Sequence, residues 1–431
     1  MMKTQELQMK LQETAGKISG NKYLKAISDG LLSTLPALII GAFSTLLASM
    51  AIESYQEFIT NTGLKDILQL PSIYTINIIS IYAAFFIAYR LSVSFNKDGA
   101  PAGLISLISF LLVTPFTFME DDSRVLPFQF LGAQGLFVAI IVGLISARLY
   151  VFIVDRGITI KMPDGVPPTV SKTFAGLIPA ILIVILFTII NVIFANTNFG
   201  SAHEFIYSFV QAPLQNLGGG FWSLIILTLV VQVLWLLGIH GMLVILPIYY
   251  SIWMPLGVEN LDALAAGEAL PNIVNTGFFM TFVIAGGSGL TLSLCLLMAF
   301  WAKSKRYKTL GRLALPGSFF GINEPLIFGL PIVLNPYFAI PFIVAPLLGA
   351  IIPYVAMSTG LVPYVAGAHL PLGTPVIASA FLQGGFILIV MQLINFIIAG
   401  VIYYPFFRSV DKKAYQEEQQ AQGNTKGEVQ A

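Results

Sequence analysis

Residues 321 to 331 read Gly321-Ile322-Asn323-Glu324-Pro325-Leu326-Ile327-Phe328-Gly329-Leu330-Pro331, and they set a carboxylate and an amide inside a chain that is 56% hydrophobic and only 10% charged. An unpaired charge in a bilayer costs at least ~2.5 kcal/mol even on lenient insertion scales, so Glu324 reads first as a residue of substrate, ion or proton chemistry. The flanking Gly and Pro residues interrupt regular helix and predict a re-entrant turn rather than a straight span.

The rest of the chain fixes the class. A mean hydropathy of +0.84, with apolar runs longer than the ~20 residues that cross a bilayer, specifies an all-α polytopic membrane protein and excludes a soluble enzyme. The formal net charge of +1 and the lack of a basic stripe with interleaved aromatics give no case for a nucleic-acid partner. Cys295 is the single cysteine, so no internal disulfide is possible; set in an apolar run, it reads as a packing residue rather than a reactive thiolate. His203, His240 and His369 are far apart and show no metal-ligand spacing, so neither metal nor cofactor is expected. The polar first 30 residues and the long first apolar run predict no cleaved signal peptide.

Apolar runs bounded by breakers predict about ten transmembrane helices, near residues 31–51, 72–95, 101–117, 131–153, 174–195, 220–238, 240–256, 276–301, 331–355 and 382–404. Two further apolar segments, 312–330 and 357–381, are broken by Gly and Pro and predict re-entrant hairpins, which need a protein-enclosed cavity. Residues up to Lys25 and residues 203–218 predict interfacial amphipathic helices. The Gln/Glu-rich stretch from Gln416 onward predicts disorder. With both termini placed on the cytoplasmic side, 20 of the 22 Lys and Arg fall on inner segments, and only Lys65 and Arg124 fall outside. The basic cluster Lys303, Lys305, Arg306, Lys308 and Arg312 serves that rule, and it also offers a docking surface for an acidic or phosphorylated cytoplasmic partner.

The hairpin stretch resembles the signature of the membrane IIC component of phosphotransferase-system sugar transporters, lactose/cellobiose/diacetylchitobiose family. Residues 102–107 (Ala-Gly-Leu-Ile-Ser-Leu), 166–174 (Val-Pro-Pro-Thr-Val-Ser-Lys-Thr-Phe) and 235–241 (Trp-Leu-Leu-Gly-Ile-His-Gly) are similar to the same family, in order along most of the chain. Asn323 before the Glu favours this family over glucose-type relatives, which more often carry Thr there.

The resemblance implies a homodimer in a bacterial inner membrane. Residues 1–200 would form a dimerisation half, 201–219 a linker, 220–410 a substrate-binding half with both hairpins, and 411–431 a cytoplasmic tail. It implies import of a β-linked disaccharide such as cellobiose or diacetylchitobiose, phosphorylated at a C6 hydroxyl by a phosphocysteine on a separate IIB protein that is itself served by IIA. His240 and Glu324 match the family's sugar-binding pair: the carboxylate can accept the hydroxyl proton, and the imidazole can bind the hydroxyl or stabilise phosphate charge. Asn323 can hydrogen-bond neighbouring hydroxyls, Trp235 can offer a face to a pyranose ring, and His369 and Gln383 flank the second hairpin within reach of substrate. Each has a structural alternative: an interhelical bond for His240, a turn cap for Asn323, packing for Trp235, and hairpin-to-helix bonds for His369 and Gln383. The family usually has Trp before the Thr-x-Pro of the second hairpin, where this chain has Pro371-Leu372-Gly373-Thr374-Pro375. A cation-coupled transporter with Glu324 as proton carrier and a passive pore are the rival readings.

Overall fold

The structure, a computed structural model, describes residues 13, 16, 17, 20–50, 52–119, 123–160, 162, 163, 165, 174–330, 332, 333, 335–371 and 373–428. The amphipathic segment expected before Lys25 lies mostly outside these residues, as do residues 166–173 of one family-like stretch. Among the described residues the chain is helical apart from one short antiparallel ribbon, which pairs Thr117 with Val125 and Phe118 with Arg124.

The first half begins with α1 (Lys22–Ser33), whose N-terminus is capped by Asn21 through bonds from the Tyr23 and Leu24 amides at 3.0 and 3.2 Å. A 45° bend at Thr34 leads into α2 (Leu35–Ala48). Short helices α3 (Glu53–Asn61) and α4 (Leu64–Ile73) precede α5 (Ile79–Ser94), α6 (Gly99–Val113), α7 (Leu136–Asp155) and α8 (Leu177–Ala195). Helices α5, α6 and α7 pack closely because their contact positions are small. A Cβ on Gly103 would sit 2.8 Å from the Phe85 ring, and one on Gly143 would sit 3.1 Å from Ile87. Ser106 donates to the Ala84 carbonyl at 2.8 Å across the same contact. Within the stretch 102–107, Ala102, Gly103, Ile105 and Ser106 are thus buried helix-contact positions.

The second half comprises α9 (Ala202–Gly218), α10 (Phe221–Leu236), α11 (Gly241–Ala266), α12 (Thr276–Leu290), α13 (Leu292–Trp301), α14 (Lys305–Phe319), α15 (Glu324–Gly329), α16 (Pro336–Ser358), α17 (Val376–Gly384) and α18 (Phe386–Glu428). Among the described residues six helices are long and apolar enough to cross a bilayer, and the bent pairs α1–α2, α9–α10 and α12–α13 raise that to nine. The shorter α6, with 15 residues, occupies the remaining predicted position. This is the multi-span helical class that the sequence specifies.

Two local expectations change, at the first hairpin and in the tail. The first hairpin starts at Lys305 rather than 312, because Ser304 caps α14 through the Tyr307 amide at 3.3 Å. The second, expected over 357–381, runs from the end of α16 as irregular backbone among the described residues before the chain enters α17. Its backbone is satisfied by buried amides instead, with Asn260 Nδ2 donating to the Val365 carbonyl at 2.9 Å. The tail from Gln416 continues α18 as helix to Glu428 rather than being disordered. Asp411 accepts from the Lys303 and Ser304 amides at 2.9 to 3.1 Å, and Glu418 accepts from Lys305, Arg306 and the Ser304 hydroxyl at 2.6 to 3.0 Å. Two carboxylates of α18 thus meet the free amides at the start of α14, which docks the helix. Cys295 is fully buried on α13, and its Sγ donates to the Gly311 carbonyl of α14 at 3.2 Å.

Candidate functional site

Regular helix in the second half is interrupted at residues 237–240, within α12 at 284–287, and at 320–323 and 359–375, and all four interruptions meet around one cavity of about 300 Å³. Its wall includes Trp235, His240, Ser288, Asn323, Glu324 and His369. Irregular backbone inside a membrane is stable only where protein or a cavity satisfies its polar groups, so the breaks and the cavity explain each other.

His240 sits at the α10–α11 break, which opens at Gly238 with a left-handed φ of 77°. The imidazole caps α11, since Nδ1 accepts from the Leu243 amide at 3.4 Å. With Nδ1 facing that amide, Nε2 is the ring nitrogen left for a ligand oxygen. The Trp235 ring lies against the imidazole, with centroids 4.4 Å apart and planes tilted by 47°. Trp235 is 5% exposed, and its indole N–H is buried without a hydrogen-bond partner.

Glu324 opens α15, directly after a turn at Gly321 with φ of 81°. Its Oε2 is buried without a hydrogen-bond partner, and no ion pair among the described residues includes it. Asn323 places it. The Asn323 amide nitrogen donates to the Ser288 carbonyl at 2.8 Å and to Thr291 Oγ1 at 2.6 Å. A Cβ on Gly287 would lie 2.4 Å from Asn323 Cγ, so the hairpin is seated against glycine backbone at the α12–α13 break. Asn323 therefore spends its donor on structure and holds the neighbouring carboxylate at the cavity.

His369 reaches the cavity from the irregular segment, with Tyr249 and Tyr250 hydroxyls each 3.5 Å from its ring nitrogens. Both tyrosines also line the cavity, and the sequence reading missed them. The available signal was two hydroxyls inside an apolar span, where each needs a partner. Gln383 stands apart from the cavity wall. Its Oε1 accepts from the Gly367 amide at 3.0 Å and its Nε2 donates to the Ala368 carbonyl at 2.5 Å, so it braces the segment that carries His369. Asn260 braces the same segment and was also missed. His203 lies elsewhere, buried on α9 with Nε2 3.1 Å from Thr114 Oγ1.

The cavity brings a carboxylate acceptor, an imidazole, tyrosine hydroxyls and aromatic side chains into one wall, a set suited to a polyhydroxylated ligand. Comparison with known proteins agrees with that chemistry. Residues 28–346 match the family model described as phosphotransferase system, EIIC. The chain is 40% identical to the lichenan permease IIC component of Bacillus subtilis (strain 168), over 96% of this chain and 95% of that protein. It is 37% identical to the cellobiose-specific EIIC component of Geobacillus stearothermophilus, over 96% and 95%. The crystal structure of the transporter ChbC, the IIC component from the N,N'-diacetylchitobiose-specific phosphotransferase system, superposes with a TM-score of 0.89 at 39% identity, covering 96% of this chain and 99% of that one.

Proposed function

This chain belongs to the phosphotransferase-system EIIC family, a membrane-embedded sugar permease component, and we propose that its cargo is a β-linked disaccharide such as cellobiose or diacetylchitobiose. The relatives named for lichenan, cellobiose and N,N'-diacetylchitobiose support that substrate class. Membership in a phosphorylation-coupled family also weighs against the cation-coupled alternative.

In this reading the sugar occupies the cavity with its C6 hydroxyl between His240 and Glu324. The phosphoryl group moves from a cysteine of a separate IIB protein to the sugar oxygen: the S–P bond breaks, the new O–P bond forms, and the hydroxyl proton passes to Glu324. His240 Nε2–H donates to the reacting oxygen or to the incoming phosphoryl group. Such transfers depend on positioning and electrostatics more than on covalent help from the protein. Asn323 acts as a positioning residue for Glu324. His369, held by Gln383 and the two tyrosines, contacts the sugar farther from the reacting hydroxyl, and Trp235 supplies the stacking face. The basic cluster at the start of α14 faces the cytoplasm and meets IIB, with both termini on that side.

Homodimerisation through the first half completes the proposal. Helix α8 buries only Pro179, Ile183 and Phe187, and leaves Ile181, Ile185, Ile189 and Ile193 more than half exposed. That apolar face fits a second copy or lipid.

The observation that carries the function is the unpartnered Glu324 carboxylate in a cavity it shares with His240. The test is reconstitution with IIB, phosphorylated IIA and radiolabelled disaccharides. The His240→Ala variant should bind the accepted sugar up to about tenfold more weakly, since a hydrogen bond contributes ~0.5 to 1.5 kcal/mol net. Unchanged affinity would remove His240 from the site.

A further inference from the structure

A second cavity, of about 570 Å³, lies between the two halves, at the opposite end of α11 from His240. Its wall includes Asn77, Phe128, Gln129 and Gln134 from the first half and Glu259 and Asp262 from α11. Residues 240 and 262 are separated by roughly 33 Å of helix at ~1.5 Å per residue, about the thickness of a bilayer core. In the proposed topology, with the basic cluster on the cytoplasmic side, this places the cavity toward the outer face.

Its carboxylates are fixed in place by neighbouring donors. Glu259 is held in place by the Gln215 amide at 2.7 Å and the Asn272 amide at 2.9 Å, each on a different carboxylate oxygen. Asp262, one turn later, accepts from the Ala133 amide and keeps one oxygen, Oδ1, buried with no partner, and Asn77 Oδ1 is likewise unpartnered. Among the described residues no Lys or Arg forms an ion pair with either carboxylate, and no cluster of His, Cys, Asp and Glu is arranged to hold a metal ion. The wall therefore presents acceptors suited to an occupant with neutral donors rather than ligands arranged around a metal ion. Phe128, 49% exposed, adds an aromatic face. Carboxylates, side-chain amides and one aromatic face in a cavity of small-ligand size are the chemistry that recognises a sugar.

We propose that this cavity is an outer carbohydrate-recognition site, where the disaccharide first binds with its hydroxyls donating to Asp262 and Glu259 and a ring face against Phe128. The proposal rests on the sugar-import reading, and the test separates the two. Radiolabelled cellobiose or diacetylchitobiose is supplied either outside intact cells or to the cytoplasmic face of inverted vesicles carrying phosphorylated IIB. Phe128→Ala and the isosteric Asp262→Asn should each raise the half-saturating external concentration about five- to tenfold. Phosphorylation in inverted vesicles should stay at the wild-type rate, which also reports that both variants fold. Equal losses in both assays, or no change in either, would overturn the outer site. If the wild-type protein phosphorylates neither cellobiose nor diacetylchitobiose from either side while its IIB is competent, the sugar reading itself fails and the outer site falls with it.

Discussion

Asn323→Ala tests whether the hairpin must be seated for the carboxylate to work. The substitution removes two buried donor contacts, to the Ser288 carbonyl at 2.8 Å and to Thr291 Oγ1 at 2.6 Å, from a side chain that is 3% exposed. At ~1 kcal/mol net each, the loss is about 2 kcal/mol of hairpin seating. No orphan-acceptor penalty is added, because the Thr291 hydroxyl still donates to the Ser288 carbonyl at 3.2 Å. With ~1.36 kcal/mol per decade, sugar binding that needs the seated hairpin weakens by as much as about thirtyfold. Asn323→Asp keeps the shape but turns an acceptor toward the Ser288 carbonyl, so it should weaken binding at least as much. The assay is equilibrium binding of the radiolabelled disaccharide to purified protein without IIB, with thermal melting to confirm that each variant folds. Affinity within twofold of wild type in a folded Asn323→Ala protein would refute the seating role and leave Asn323 a bystander.

Glu324→Gln should retain sugar binding and fold while slowing IIB-dependent phosphorylation at least about a hundredfold, the usual scale for a positioned base; wild-type turnover would reject the assigned role. Cys295→Ser should be nearly neutral, because the hydroxyl can donate to the Gly311 carbonyl as Sγ does; labelled phosphate recovered on Cys295 would place the donor on this chain instead. Asp411→Ala strips three amide contacts from Lys303 and Ser304 and should loosen the α14–α18 contact by ~2 to 3 kcal/mol. Hydrogen exchange at those amides should quicken accordingly, and unchanged protection would show that the helix is held by other contacts.

Much was legible in the sequence because a bilayer imposes strong constraints. An apolar run of sufficient length must form a helix, and a Gly- and Pro-rich run at membrane depth must border a cavity, so the ten apolar positions and the breaks near residues 320 and 360 follow from composition. Glu324 announced itself by the cost of placing a carboxylate there. What the sequence could not decide is which polar atoms meet. Asn323, Gln383 and Asn260 are alike on paper as buried amides, but only the packed chain shows Asn323 bonded across 32 and 35 residues to the α12–α13 break and Gln383 spent on the backbone that carries His369. Tyr249 and Tyr250 acquire meaning only because His369, about 120 residues away, arrives between them. The C-terminal helix is the plainest case. Polar composition after Gln416 reads as disorder, because local propensity carries no record of the free amides at residues 303–306 that Asp411 and Glu418 satisfy once α14 and α18 are packed side by side.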